Sequence, residues 1–544
     1  MKTAQIALWL ALTSPALFLF PARAGEAEGA EAAAAAEGAA EAAGAAEAAP
    51  PTAVKVVTHG PVIGNAPSAA GITPELQAAL SQLPSLPIFA KSTSAVEVVD
   101  ARTGERVYQY GDDAELIPAS TMKLVTSAVA LRELGPAYRF PTWIKYDGEL
   151  GADGVLEGNL YVVGQGDPTM VVERMWRMVG DIRARGITEI HGDVVFDDSY
   201  TQDSLWVPGW NKVADLEEGS TYYSALGALS LNYNIATINV RPGAATGAPA
   251  VVAFDTPSDV LVLDSQLLTG RAKSKYWVKI ERALDEKDAK VATYKLTGNV
   301  PSDHEPDQLF RTLADPTGNY LSVFRDVARA SGIKVKGKHR VAVAPADSKL
   351  LLKVESERLV EVLMDMNKQS NNFMAEQILR AVGAERRGLP GTTAKGVEVL
   401  GAYMASLGVP ATDYAFVNGS GLSREVTLKP SALDAVLVDM WNDLEHGPEF
   451  LSTLAVGGRD GTLWHRFRET GMQGRVRGKT GSLAGVFCLA GYVRAVDGRD
   501  YAFTFLVNDI DGNTVRARYA HDQLVAALAG GTGNLAEASD GGAP

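Results

Sequence analysis

Between residue 141 and about 345 this chain changes to short strands and turns with few long helices, and helical periodicity returns at about 356. Whatever the two flanks build must therefore be closed across an insertion. Upstream, residues 95–100, a turn through Thr103-Gly104 and residues 106–110 read as a hairpin after a short helix at 73–83. A helix follows directly, with Met122, Val125, Ala128, Val129 and Leu134 as its apolar stripe and Gly135 as its stop. Downstream, helices are expected at 358–366, 371–383 and 431–443. Antiparallel strands follow at 472–480, 485–496 and 501–508, with Asp497-Gly498 as a turn, then a closing helix at 515–528. The hairpins at 95–110 and 472–508 are expected to share one sheet with helices packed on it, giving an α/β (α+β) unit from 71–140 and 346–530.

The insertion reads as β-rich, in one or two subdomains. A hairpin at 151–163 ends in Gly164-Gln165-Gly166-Asp167-Pro168, and 170–185 is helical. Strands are expected at 187–196, 236–241, 250–254, 276–282 and 291–300, one helix interrupted by Pro316 at 309–331, and a strand-like 334–343. The glycines at 164 and 166 read as a turn, since neither a third glycine nor a Walker lysine follows.

The N-terminus carries Lys2, an apolar run at 6–20 and Ala22-Arg23-Ala24, the pattern of a secretory signal peptide (1–24) cleaved near Ala24. An uncleaved anchor is the alternative. Residues 25–70 are mostly Ala, Glu and Gly with few large apolar groups, a flexible linker, and 531–544 a loose tail. The net charge of -14 argues against nucleic acid and anionic membranes, whose capture needs a basic face. It suits a periplasmic protein. Cys488 is the sole cysteine, so disulfides and thiolate-built metal sites are excluded.

Ser120 and Lys123 stand at i and i+3 on the first turn of the upstream helix, within side-chain reach of each other. A serine hydroxyl is a poor nucleophile until a base takes its proton, and lysine serves only if burial or nearby charge lowers its pKa. Alone the spacing is weak, because Ser331-Gly332-Ile333-Lys334 repeats it. Two further elements strengthen it: Ser370-Asn371-Asn372 and Lys479-Thr480-Gly481. Serine-x-x-lysine, serine-x-asparagine and lysine-threonine-glycine, in that order, mark penicillin-binding proteins and class A β-lactamases. Ser230-Leu231-Asn232 also fits the second element but falls in the insertion. In this arrangement Ser120 attacks a carbonyl and Lys123 takes its proton. Ser370 relays a proton to the departing amine, and Asn372 binds the substrate amide or holds Lys123. Lys479 adds positive charge that favours neutral Lys123, Thr480 binds a terminal carboxylate, and the N–H groups of Ser120 and Ser482 form an oxyanion hole beside Gly481.

Residues 72–530 resemble the class C low-molecular-mass penicillin-binding proteins, the D-alanyl-D-alanine carboxypeptidases/endopeptidases of the penicillin-binding protein 4 type. Gly164-Gln165-Gly166-Asp167-Pro168-Thr169, Phe196-Asp197-Asp198-Ser199, Gly419-Ser420-Gly421-Leu422-Ser423-Arg424 and Asp460-Gly461-Thr462-Leu463 also recur there. The resemblance implies a transpeptidase/β-lactamase-like domain with an antiparallel sheet flanked by helices. It implies two inserted domains, II at 141–200 and 305–345 and III at 201–304. It further implies a serine acyl-enzyme acting on peptidoglycan stem peptides, inhibited by β-lactam antibiotics, with no metal or cofactor. Asp167 matches a family acid that approaches the site from an inserted domain, with a turn residue as its plain reading. A homodimer stays open. Asn418 stands where the family usually has aspartate, and its side-chain carbonyl can order the same loop.

A class A β-lactamase would have a shorter gap between the first two motifs and a Glu-x-x-Leu-Asn segment after Ser370, which this chain lacks. A catalytically weak wall-binding or scaffolding protein is the alternative from another class; it would be expected to have lost Ser120, Lys123 or Lys479. The seven histidines form no His-Glu-x-x-His pair, and no Gly-x-Ser-x-Gly elbow occurs.

Overall fold

The strand Thr93–Asp100 pairs with its hairpin partner Arg106–Tyr110 on one side and along its whole length with Asp500–Asn508 on the other. The two ends of the chain therefore meet in one antiparallel sheet. Its order is Arg106–Tyr110, Thr93–Asp100, Asp500–Asn508, Val486–Arg494, Val476–Leu483 and Ala455–Val456. The computed structural model describes residue 89 and residues 92–530 apart from 112–113, 202, 211–218, 286–289, 469, 497 and 511–513. The signal peptide, the linker, the helix at 73–83 and the tail from 531 lie outside the described residues.

Successive strand residues point to opposite faces. Ala95, Val99, Ala502 and Leu506 enter one core, and Val96, Val98, Phe503, Phe505 and Val507 another. The first core holds the helices Lys123–Leu134, Leu359–Lys368, Asn372–Arg387, Thr393–Ser406 and Pro430–Asn442. The second is closed by Thr514–Leu528 through Leu524 and Val525. Lys123–Leu134 is more deeply set than its stripe suggests, buried at every residue from Lys123 to Leu131, and Gly135 ends it at a φ of 81°. Its leading turn, Ala119–Met122, is a 3-10 helix.

The insertion has two hydrophobic cores. One lies among a five-stranded sheet (His339–Val341, Val194–Asp197, Leu160–Gly164, Pro141–Tyr146, Lys349–Glu355), a four-stranded sheet and the helices Val172–Ala184 and Pro316–Ala330. The other, around Ile238, Leu267, Tyr294 and Leu296, lies between two three-stranded sheets. These are Val251–Phe254, Ile235–Arg241 and Asp307–Thr312, and Leu261–Gly270, Ala292–Pro301 and Trp277–Leu284. Chain entry and exit are adjacent: Pro141 faces Glu355, and Phe140 and Ser356 bond to each other.

Readings within the insertion differ from what forms. The hairpin expected at 151–163 is divided between two sheets: Val155–Glu157 pairs with Glu149–Leu150 and Glu189–Ile190, and Leu160–Gly164 with Pro141–Tyr146 and Val194–Asp197. Residues 307–312 form a strand against Ile235–Arg241, and helix begins only at Pro316, with Asp315 capping it by accepting from Gly318 N at 3.0 Å. Pro316 starts this helix instead of interrupting it, because proline at the first helical position forfeits no intrahelical bond.

Candidate active site

Three elements converge on the Ser120 turn. The Gly419–Gly421 loop and the strand Val476–Leu483 press on it so closely that a Cβ on Gly421 would lie 1.9 Å from Ala119 O. One on Gly481 would lie 2.6 Å from Pro118 O. Between them Ala119 takes a φ of 46°, a conformation non-glycine residues seldom adopt. The third element is the helix Asn372–Arg387, entered through Ser370 at a φ of 57° and capped by Asn371, which accepts from Met374 N at 3.0 Å.

Lys123 Nζ sits at the centre. It donates to Ser120 Oγ at 2.9 Å, to Asn372 Oδ1 at 2.7 Å and to Ser420 O at 2.8 Å. Its side chain has no solvent exposure. Burial pushes its pKa down to about 7, against the pull of the Glu376 carboxylate, which favours the charged form. Lys479 is equally buried and donates to Ser370 Oγ and to Thr480 O, both at 2.8 Å. Burial first, and the charge of Lys123 second, hold it well below the usual lysine range. The sequence reading has Lys479 supply the charge that keeps Lys123 neutral; burial is instead the leading cause that drives both lysines toward neutrality.

Thr480 Oγ1 meets Thr462 Oγ1 at 2.9 Å, which brings the Asp460-Gly461-Thr462-Leu463 segment to the site. Ser482 is half-buried one position beyond Gly481. Ala455–Val456 pairs only with Gly478 and Arg477, so among the described residues the outer edge from Lys479 onward has no strand partner. Such an edge presents unpaired backbone donors and acceptors to an extended chain. Asn418 Oδ1 accepts from Gly421 N at 3.0 Å and so orders the loop by its carbonyl.

The structure thus brings together Ser120, Lys123, Ser370, Asn372, Lys479, Thr480, Gly481 and Ser482. Asp167 is placed differently: its buried carboxylate accepts from Thr169 N at 2.8 Å and pairs with Arg174 at 3.0 Å, bracing its own turn. Three contributors escaped the sequence reading. Glu376, buried and one helical turn beyond Asn372, accepts from Ser420 N at 2.7 Å and from Gly419 N at 3.1 Å. Ser420 offers its carbonyl, and Tyr222 of the insertion offers its own to Asn372 Nδ2 at 3.3 Å. Ser420 lay in the 419–424 motif without a role assigned to it, the i, i+4 spacing from Asn372 signalled Glu376, and nothing signalled Tyr222. Among the described residues no group of His, Cys, Asp and Glu side chains could hold a metal ion, and no helix is long and apolar enough to cross a membrane.

A model of the D-Ala-D-Ala carboxypeptidase 3 (S13) family matches residues 73–529. A D-alanyl-D-alanine carboxypeptidase of Actinomadura sp. (strain R39) is 31% identical over 443 residues, 78% of this chain and 79% of its own length. The D-alanyl-D-alanine carboxypeptidase DacB of Haemophilus influenzae is 25% identical over 431 residues, 76% of this chain and 85% of its own. Among solved structures, penicillin binding protein 4 from Haemophilus influenzae superposes with a TM-score of 0.69 at 23% identity, covering 79% of this chain and 93% of that one. That protein complexed with a β-lactam gives 0.66 at 23% identity, with 82% and 98% covered. The fold is of the transpeptidase/β-lactamase type.

Proposed function

The chain belongs to the D-Ala-D-Ala carboxypeptidase 3 (S13) family of serine-type carboxypeptidases, and from that premise we propose that it cleaves peptidoglycan stem peptides in the periplasm through a Ser120 acyl-enzyme. The observation that carries this reading is the buried Lys123 amine 2.9 Å from Ser120 Oγ. A lysine with a pKa near 7 takes a hydroxyl proton in neutral solution, which an exposed lysine does not.

The substrate lies along the free edge of Val476–Leu483, its terminal carboxylate at Thr480 and Thr462 and near Lys479. Ser120 Oγ attacks the carbonyl of the D-Ala–D-Ala bond while its proton passes to Lys123. The oxyanion is held by the N–H groups of Ser120 and Ser482. As the C–N bond breaks, Ser370, bonded to Lys479, passes its proton to the leaving D-alanine and takes up the one Lys123 received, which returns Lys123 to the neutral form. Water then attacks the ester while Lys123 accepts its proton, and that proton passes to Ser120 Oγ as the acyl bond breaks. A crosslinked stem peptide differs only in what its departing amine carries, so endopeptidase cleavage uses the same steps. In a β-lactam the leaving nitrogen stays tethered and the ester persists. The segments expected at 71–140 and 346–530 form the catalytic domain in this reading, except that Lys349–Glu355 pairs with Pro141–Tyr146 in the insertion's sheet. The insertion, with its two cores, supplies two further domains, the second expected at 201–304 and extended by Asp307–Thr312, which pairs with Ile235–Arg241. The exported form follows from the leader-like residues 1–24.

Intact mass after incubation with a penicillin tests the reading. The parent gains one penicillin mass and Ser120→Ala gains none; a folded parent that gains none ends the acyl-enzyme reading.

A further inference from the structure

Ser230-Leu231-Asn232, which imitates the second motif, does its work elsewhere. Asn232, Tyr233 and Asn234 form three consecutive residues with φ of 49°, 57° and 57°. Asparagine tolerates this conformation; tyrosine does so only when its surroundings impose it. Ser230 Oγ donates to Gly227 O at 2.9 Å and accepts from Asn234 Nδ2 at 2.9 Å, and the same Nδ2 donates to Ala225 O at 2.8 Å. The turn is therefore locked to the segment that follows Tyr222.

It is also fastened to the catalytic helix. Gln377 Nε2 donates to Gly227 O at 2.7 Å and to Ser230 Oγ at 3.3 Å, and the Tyr233 ring meets Phe373 edge-on with centroids 6.2 Å apart. Phe373 follows Asn372, whose Nδ2 donates to Tyr222 O while its Oδ1 accepts from Lys123. An asparagine amide has one donating and one accepting end. With the donor end held by Tyr222 O, the acceptor end must face the lysine. Turned over, the amide would donate into the lone pair that a base needs.

We propose that the insertion is a positioning device for the base: the 225–234 segment, locked by Ser230 and Asn234 and tied to Gln377, holds the Tyr222 carbonyl on Asn372 and so fixes which end of that amide meets Lys123. This rests on Lys123 acting as the base. Gln377 and Ser230 are positioning residues, not catalytic ones.

Gln377→Leu and Ser230→Ala in the full chain test it. Gln377 Oε1 has no partner, so leucine removes an orphaned atom together with the two bonds, and the thermal midpoint should stay near the parent's. Glu376 and Lys479, the charged groups facing Lys123, are unchanged in both variants. On a peptide ending in D-Ala-D-Ala, kcat is expected to fall about tenfold, the size of effect that loss of orientation produces. KM should stay within about twofold. The acid limb of the rate profile should move to lower pH, because an amide turned over stabilises neutral lysine. Folded variants with the parent's kcat and acid limb would overturn the proposal, as would a lowered midpoint with both unchanged. A parent that penicillin does not acylate would overturn the base reading and this inference with it; an acylated parent with unaltered variants would overturn the inference alone.

Discussion

Glu376 is the charge that opposes burial in setting the state of Lys123. Burial raises its pKa, while the hydrogen bonds it accepts from the Gly419 and Ser420 N–H groups and the nearby lysine lower it. Each of those N–H bonds is one that a carboxylate accepts, which favours the ionised form. A negative charge there favours the Lys123 ammonium, so removing it lowers the Lys123 pKa and makes the neutral base available in more acidic solution. Acylation by penicillin should rise with pH through about 7 in the parent, following Lys123. In Glu376→Gln the rise should move down by about one pH unit. A pH series of acylation rates checks this, and an unmoved limb would mean that Glu376 is already protonated. Serine-x-x-lysine and lysine-threonine-glycine were legible because each pattern lies within four consecutive residues. Glu376, Ser420 and Tyr222 were not, since each reaches Lys123 or Asn372 only once separate elements have packed.

Most elements of the chain's two flanks were also legible, because strands such as Asp500–Asn508 and helices such as Asn372–Arg387 carry continuous apolar signals. Residues 307–312 failed because a short strand ran without a glycine or asparagine break into a proline-started helix. The closing helix Thr514–Leu528 holds a feature that periodicity does not show. His521 lies between Phe487 and Phe505 with neither ring nitrogen bonded, and burial, with the Arg466 charge behind it, keeps its pKa well below the usual histidine value. The unfolded chain therefore binds a proton below about pH 6.5 that the folded one refuses, so stability falls as pH drops through that value. His521→Leu removes both orphaned nitrogens at similar volume. It is expected to raise stability by about 1 kcal/mol at neutral pH and by more at pH 5. Urea midpoints at the two pH values measure the difference, and a loss of stability at both would show that the ring's packing outweighs its unmet polarity.

For the molecule as a whole, the sheet joins the chain's beginning to its end, and this sets how it opens. Thr93–Asp100 is held between Arg106–Tyr110 and Asp500–Asn508, with both faces covered by cores. It cannot leave without exposing both cores, so its amides should exchange with solvent only through global unfolding. The sheet of Leu261–Gly270, Ala292–Pro301 and Trp277–Leu284 stands in the other situation. Its core is small, and its outer face leaves Trp277 47% and Leu268 50% exposed. Few apolar contacts oppose its opening, so it should exchange through a smaller, cheaper fluctuation. Hydrogen exchange followed by mass spectrometry should therefore find peptides from 93–100 and 500–508 slowest and rising together, and peptides from 261–301 well ahead of them. If 93–100 exchanged early while 500–508 stayed protected, the sheet would not close across the insertion as one cooperative unit. The Ser120 turn would then lack the rigid support on which its contacts with Gly421 and Gly481 depend.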